Sequence, residues 1–287
     1  MAGVTMAGFS DRHRTPLPLR LIPHPAVTLG LVFGTGSLAV DDAAGRVHTG
    51  SLVAGLGLGF GAVRLRRVED FACLQVRLPP VVAGAVLGVR PSELDGGVVP
   101  LDDLWGHEAG LIAERMSEAG SWEERFAWVD AMLARRAGLA RRGMIARSNG
   151  GGPLVDPEVA WAWHQMVASQ GLVRIDHLAA ELGWSRKRLW SRFHAQIGLP
   201  PKRAAKLVRF DHAAHRLVAG QNAARVAADG GYTDQSHLHR DVMAFAGVTP
   251  ANVAAEPFLT IDDIAWPTRG TPAAAAQYGR SSGRQSR

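Results

Sequence analysis

Two stretches of this 287-residue chain gather polar side chains at the start of a helical pattern. They are Arg186, Lys187, Arg188, Trp190 and Ser191, and, at an offset of 49, Gln235, Ser236, His239 and Arg240. Arginine can donate two hydrogen bonds to guanine, glutamine pairs in a bidentate way with adenine, and serine can bond to either base. Side chains of these types on one exposed helix face can therefore tell base pairs apart. Lys202 and Lys206 lie just beyond the first stretch and are candidates for neutralising phosphate. Other chemistries are poorly supplied. The only cysteine, Cys73, excludes disulfides and multi-cysteine metal sites and fits a reducing cytoplasm. His24 and His48 lack a second pair of ligands at useful spacing and are expected to face solvent. His237 and His239, two apart, cannot share one helix face as metal ligands would. No catalytic residue, metal site or cofactor is expected.

The elements that would present the two stretches form an internal repeat. Leu178, Ala179 and Gly183 recur 48 positions later as Val226, Ala227 and Gly231. Leu189, Phe193, Gly198 and Pro201 recur 49 later as Leu238, Val242, Gly247 and Pro250. One residue has therefore been added in the second turn. Paired helices joined by a glycine-bearing turn, twice over, describe a two-headed helix-turn-helix unit whose second helices enter major grooves. Ser185 is a good N-cap for the first reading helix, Arg186 to Gln196. A stripe of Leu207, Phe210, Ala214, Leu217 and Val218 after Pro200-Pro201 predicts a long connecting helix ending at Gly220. Its twenty or so residues would span roughly 30 Å, close to one turn of B-DNA.

Charge is concentrated in the same place. Residues 171–247 hold 12 Lys+Arg against 6 Asp+Glu, a net of +6, and the whole chain also carries +6, so the remainder is neutral. A localised excess of this kind suits a phosphate-binding surface.

Punctuation divides the rest. Ser148 to Pro153 reads as a glycine-rich linker (148–155), and residues 259–287 have too few large apolar side chains to fold and read as a mostly disordered tail. Residues 1–147 should be β-rich, with strands at Val27–Phe33, Ser51–Leu56 and Cys73–Leu78, followed by helices. The last helix opens with a Ser121/Glu124 capping box and carries Phe126, Val129 and Leu133. Residues 156–258 should be all helical, opening on Asp156 as N-cap with Pro157 behind it. The fold class is thus α+β: a β-rich N-terminal domain with trailing helices, then an all-α domain of about seven helices containing two helix-turn-helix motifs. The run Gly55 to Gly61 does not open a helix, since Ala62 to Arg66 continues as a strand, and it reads as a bulged strand instead of a phosphate loop. No apolar run approaches a membrane span, and the N-terminus lacks a signal-peptide pattern.

Residues 157–257 resemble the C-terminal DNA-binding domain of the AraC/XylS regulators. The likeness rests on Ile175-x-x-Leu178-Ala179, Gly183-x-Ser185, Leu189-x-x-x-Phe193, Gly198-x-x-Pro201, Arg209-Phe210, Gly231-Tyr232-x-Asp234-Gln235-Ser236-His237-Leu238-x-Arg240 and Gly247-x-Thr249-Pro250. The resemblance implies a sequence-specific activator or repressor that binds double-stranded DNA, with contacts from Lys187, Trp190, Ser191, Gln235, Ser236 and Arg240. It further implies RNA polymerase as a partner. Trp190 stands where the family more often has a polar residue; it either packs on a sugar or thymine methyl or covers the core. Val242 replaces the usual Phe, which implies a less tightly packed second head.

The N-terminal stretches Leu74 to Pro79, Leu87 to Val89, Glu93-Leu94 and Leu101 to Gly106 resemble, more weakly, sensor domains fused to that family. A small-molecule effector or a homodimer follows by analogy of architecture. Two alternatives stand beside this: a regulator that needs no ligand, and a DNA-repair alkyltransferase-like enzyme carrying the same DNA-binding domain. The latter needs a zinc-binding cysteine cluster and an activated thiolate, which a lone Cys73 does not supply.

Overall fold

The computed structural model describes residues 3–11, 19–36, 38–42, 44–57, 64–67, 71–94, 97–144, 154–253 and 274–278. The expected linker at 148–153, the end of the glycine run and most of the tail lie outside the described residues.

The N-terminal half contributes strands β1 (Thr5–Asp11), β2 (Leu19–Arg20), β3 (Val27–Phe33), β4 (Leu38–Asp41), β5 (Val47–Thr49), β6 (Leu52–Ala54), β7 (Arg64–Arg67), β8 (Phe71–Leu78) and β9 (Val98–Pro100). A further strand, β10 (Ala274–Tyr278), comes from the far C-terminal segment. They form two sheets, β10-β1-β8-β3-β6-β9 and β2-β7-β4-β5. All pairings are antiparallel except β1 with β10. The period-2 alternation of β3 shows why two layers form. Val27, Leu29, Leu31 and Phe33 face a core shared with helices, while Val32 turns the other way into a smaller core with Leu38, Val40, Leu65 and Cys73 between the sheets. β10 falls in the segment expected to be disordered; the open edge of β1 offers backbone partners to a run of small residues that has no core of its own.

Helices α1 (Pro80–Leu87), α2 (Leu101–Trp105), α3 (His107–Glu118) and α4 (Trp122–Arg141) cover the first sheet. Ser121 caps α4 by accepting from Glu124 N at 3.1 Å, but Glu124 accepts in return from Gly120 N, not from the cap residue. α1 escapes sequence patterning because it is apolar on nearly every face, with Ala83, Gly84, Ala85, Val86 and Leu87 all buried.

Seven helices follow among the described residues: α5 (Pro157–Ala168), α6 (Ile175–Glu181), α7 (Arg186–Ile197), α8 (Pro201–Val218), α9 (Ala223–Asp229), α10 (Gln235–Ala246) and α11 (Pro250–Val253). α8 is the central one. Its buried Ala204, Leu207, Phe210, Ala214 and Leu217 touch both helix pairs, and its 18 residues span about 27 Å. The buried side chains of both halves join in one apolar cluster, from Ile22 to Val253.

Candidate nucleic-acid interface

The two helix-turn-helix units repeat in detail. Four residues, 182–185, separate α6 from α7, and five, 230–234, separate α9 from α10, so the added residue sits in the second turn. Both reading helices are side-chain capped: Ser185 Oγ accepts from Arg188 N at 3.1 Å and Asp234 Oδ1 from His237 N at 2.7 Å. The cap satisfies a backbone N–H of the first turn and so secures the N-terminal end of each helix. Leu189, Phe193 and Ile197 anchor α7, and Leu238, Val242, Phe245 and Ala246 anchor α10. Phe245 stacks on Phe210 of α8 at 4.9 Å, so the second head is packed through Phe245 although Val242 is small.

Those anchors leave the expected reading residues outward. Arg186, Lys187, Arg188, Trp190 and Ser191 on α7 and Gln235, Ser236, His239 and Arg240 on α10 are all exposed. Trp190 is 51% exposed and stacks on His194 at 5.1 Å, which rules out a role as core cover. The Arg188 guanidinium lies 4.6 Å over Trp184, so it leans back toward the turn. Arg240 Nε reaches its own helix at Ser236 O, 3.4 Å away. Beside α10, Leu217, Gly220, Gln221, Gln235, His239 and Thr249 line a recess of about 410 Å³. His237 has a different part: it is half-buried, edge-on to Tyr232 at 5.3 Å, and its Nδ1 accepts from Thr233 N at 3.4 Å.

Four charged groups, Lys206, Arg209, Asp241 and Asp156, organise this surface through pairings between helices. Lys206, a phosphate candidate, donates to Asp241 Oδ1 at 3.2 Å, and Arg209 donates to Asp241 Oδ2 at 2.9 Å. Asp241 is buried, and Arg209 also lies 4.4 Å over the ring of Tyr232, whose hydroxyl burial pushes up to about 12. Asp156 stands at the N-cap of α5 but does not cap it; its carboxylate instead accepts from Arg192 Nη2 at 2.6 Å and Gln196 Nε2 at 2.7 Å on α7. No periodicity could have exposed these pairs, because each joins separate helices.

The N-terminal half meets this surface from behind. A 3-10 turn, Pro91–Leu94, seats on the C-terminal end of α7, where Ser92 Oγ donates to Ala195 O at 2.7 Å. Gly198 ends α7 at φ 92°, and a Cβ there would come within 2.9 Å of Pro91 O. Arg77 donates to His24 Nε2 at 2.8 Å while His24 Nδ1 donates to Asp211 Oδ1 of α8 at 2.7 Å. His24 and His48 were expected to face solvent. Instead their side chains are only 10% and 13% exposed, because each is held by a carboxylate, Asp211 and Asp42 respectively. Among the described residues no group of three candidate ligands could hold a metal ion. Cys73 is buried in β8, and burial raises its thiol to about 12, the opposite of what a nucleophile needs.

A cavity of about 610 Å³ lies between the end of β3 and α3, lined by Val32, Phe33, Ser51, Asp102, Ala113 and Glu114. No described helix is long and apolar enough to cross a membrane.

A family model described as a helix-turn-helix domain matches residues 178–256. No curated protein matches the sequence. Among solved structures, ToxT from Vibrio cholerae O395 superposes with a TM-score of 0.49 at 9% identity, covering 91% of this chain and 99% of that one. Unsaturated fatty acid bound ToxT from Vibrio cholerae strain SCE256 gives 0.47 at 10% identity, covering 88% and 94%. The C-terminal domain of AraT, a response regulator from Geobacillus stearothermophilus, gives 0.33 at 20% identity, covering 35% and 86%.

Proposed function

We propose that this chain, a DNA-binding transcription regulator whose residues 178–256 are an AraC-type helix-turn-helix domain, reads one duplex with two helices, α7 and α10, each laid in a major groove. The observation that carries the reading is the repeated geometry. Two capped helices, packed on one central helix, turn polar and basic side chains outward at their N-terminal ends. Arg186, Lys187, Trp190 and Ser191 serve the first half-site, and Gln235, Ser236, His239 and Arg240 the second. Arg188 contributes from the edge, since it is exposed but stacked on Trp184. Lys202, exposed at the start of α8, takes phosphate.

The reading extends to the N-terminal half, with the division between the two placed near residue 150. The cavity between β3 and α3 is of a size that holds a small molecule and is the proposed effector site. The protein acts in the cytoplasm and is not an enzyme; an alkyl-transfer role would need a thiolate that buried Cys73 does not offer.

The test is selection of duplexes from a randomised pool by the full-length protein, followed by footprinting. Two protected half-elements on one face, about one helical turn apart, are the expected result. Selection of no sequence over the starting pool would sink the reading.

A further inference from the structure

Apolar packing, with Phe245 stacked on Phe210, holds α10 against α8, but hydrophobic contact is largely non-directional and restrains the roll of α10 about its own axis less sharply than paired charges do. Roll matters for a reading helix. A roll of about 20° moves a side-chain tip roughly 6 Å from the axis by about 2 Å, more than a hydrogen bond tolerates. A two-point, charge-assisted restraint is also present on the inward side of α10. Both oxygens of Asp241, the residue after Arg240, are taken by separate cations of α8: Lys206 Nζ on Oδ1 and Arg209 Nη2 on Oδ2. The two cations stand three residues apart, on one face of α8. Asp241 is one of two buried charged residues among the described residues, and the other, Asp42, belongs to a turn of the second sheet. A buried ion pair is weak evidence of stabilisation; its best-attested use is to choose one geometry among several apolar alternatives.

The first head carries a tie at the same place. Arg192 is the seventh residue of α7 and Asp241 the seventh of α10, and Arg192 is bound to Asp156 at the start of α5. The sign of the charge is reversed, and Arg192 is 54% exposed where Asp241 is 6% exposed, so the second tie is the stronger restraint.

We propose that Asp241 is a positioning residue for DNA reading. Clasped by Lys206 and Arg209, it sets the roll of α10, so that base discrimination in the second half-site depends on a carboxylate that touches no DNA. This rests on the reading that α10 enters a groove.

The experiment uses the full-length chain and a duplex it selects from a randomised pool, with affinities measured for every single base-pair change, alongside melting temperatures. Asp241→Asn keeps the shape of the side chain and removes its charge. Val242→Ala, its neighbour in the apolar core, serves as a stability control. The expected result is that Asp241→Asn flattens discrimination under α10 by about tenfold, one base contact's worth, while the half-site under α7 keeps its preferences. Val242→Ala is expected to lower the melting temperature with preferences intact in both halves. Unchanged discrimination in Asp241→Asn overturns the proposal, as does a loss that Val242→Ala reproduces in proportion to its melting temperature. Should Asp241→Asn fail to fold, Lys206→Met removes one cation from the exposed side, and full discrimination in that variant also overturns it. A wild-type chain that selects no duplex overturns the DNA reading and this inference together, whereas selection with an indifferent Asp241 overturns this inference alone.

Discussion

His24 and Asp211, 187 residues apart in the chain, share a hydrogen bond of 2.7 Å that joins the segment leading into β3 to the middle of α8. Arg77 donates to the opposite ring nitrogen of His24, so that nitrogen must be the acceptor and Nδ1 carries the proton given to Asp211. Asp211 is also near His212 and His215 on its own helix. Burial works to raise the Asp211 carboxyl, and the hydrogen bond from neutral His24, with His215 and the Arg77 guanidinium nearby, outweighs it, leaving the group below its usual 3.8. A lowered carboxylate contributes stability that is present above the unfolded value and is lost as pH falls through the folded one. Asp211→Asn is therefore expected to lower stability by about 2 kcal/mol at neutral pH. The gap from wild type should close below the ordinary carboxylate range. Chemical denaturation of both proteins across acidic pH measures it.

Arg240→Ala or Gln235→Ala is expected to cost about 1 to 3 kcal/mol at the selected site and to relax preference at one or two base pairs. Lys202→Ala is expected to weaken all duplexes alike and to lower the salt slope by about one unit. Titrations at several salt concentrations separate these outcomes.

Trp190→Ala removes an aromatic ring that is 51% exposed, so its effect on melting should stay within about 0.5 kcal/mol. If the ring packs against a thymine methyl or a sugar, binding falls while folding does not. Calorimetric melting and a binding assay on one preparation check both halves of the expectation.

Leu207→Ala and Leu217→Ala are expected to cost about 2 to 5 kcal/mol each, because both side chains are buried on α8 at 0% and 5% exposure. Equilibrium unfolding gives the values directly.

Cys73 is expected to resist thiol reagents in the folded protein and to react on unfolding, since it is buried and its thiol is raised to about 12. Labelling kinetics with and without denaturant test this.

The parts legible in the sequence are those written in local periodicity. The strand at Val27–Phe33, most of the strand Phe71–Leu78 (read from Cys73), the Ser185-capped helix and the extra residue in the second turn follow from spacing, cap chemistry and glycine, whereas the Asp234 cap of α10 reads as part of its outward face. Pairings across the fold were not legible. Lys206 reads as one more basic residue until Asp241 is seen beside it, and Asp156 reads as a cap until Arg192 and Gln196 claim its carboxylate. The histidines at 24 and 48 read as surface residues because their partners lie on other elements or in a turn. α8 reads as a spacer between heads, yet Ala213 and Ala214 at its middle are buried, which makes it as much the core as the ruler.

The seat of the Pro91–Leu94 turn on the end of α7 makes that helix a lever with its fulcrum in the core. Gly198 admits Pro91 at the rear end, while Ser191, Trp190 and Lys187 ride on the forward part, about two to three turns away. The N-terminal half thus has a grip on the first of the two exposed helices at the end away from its polar first turn.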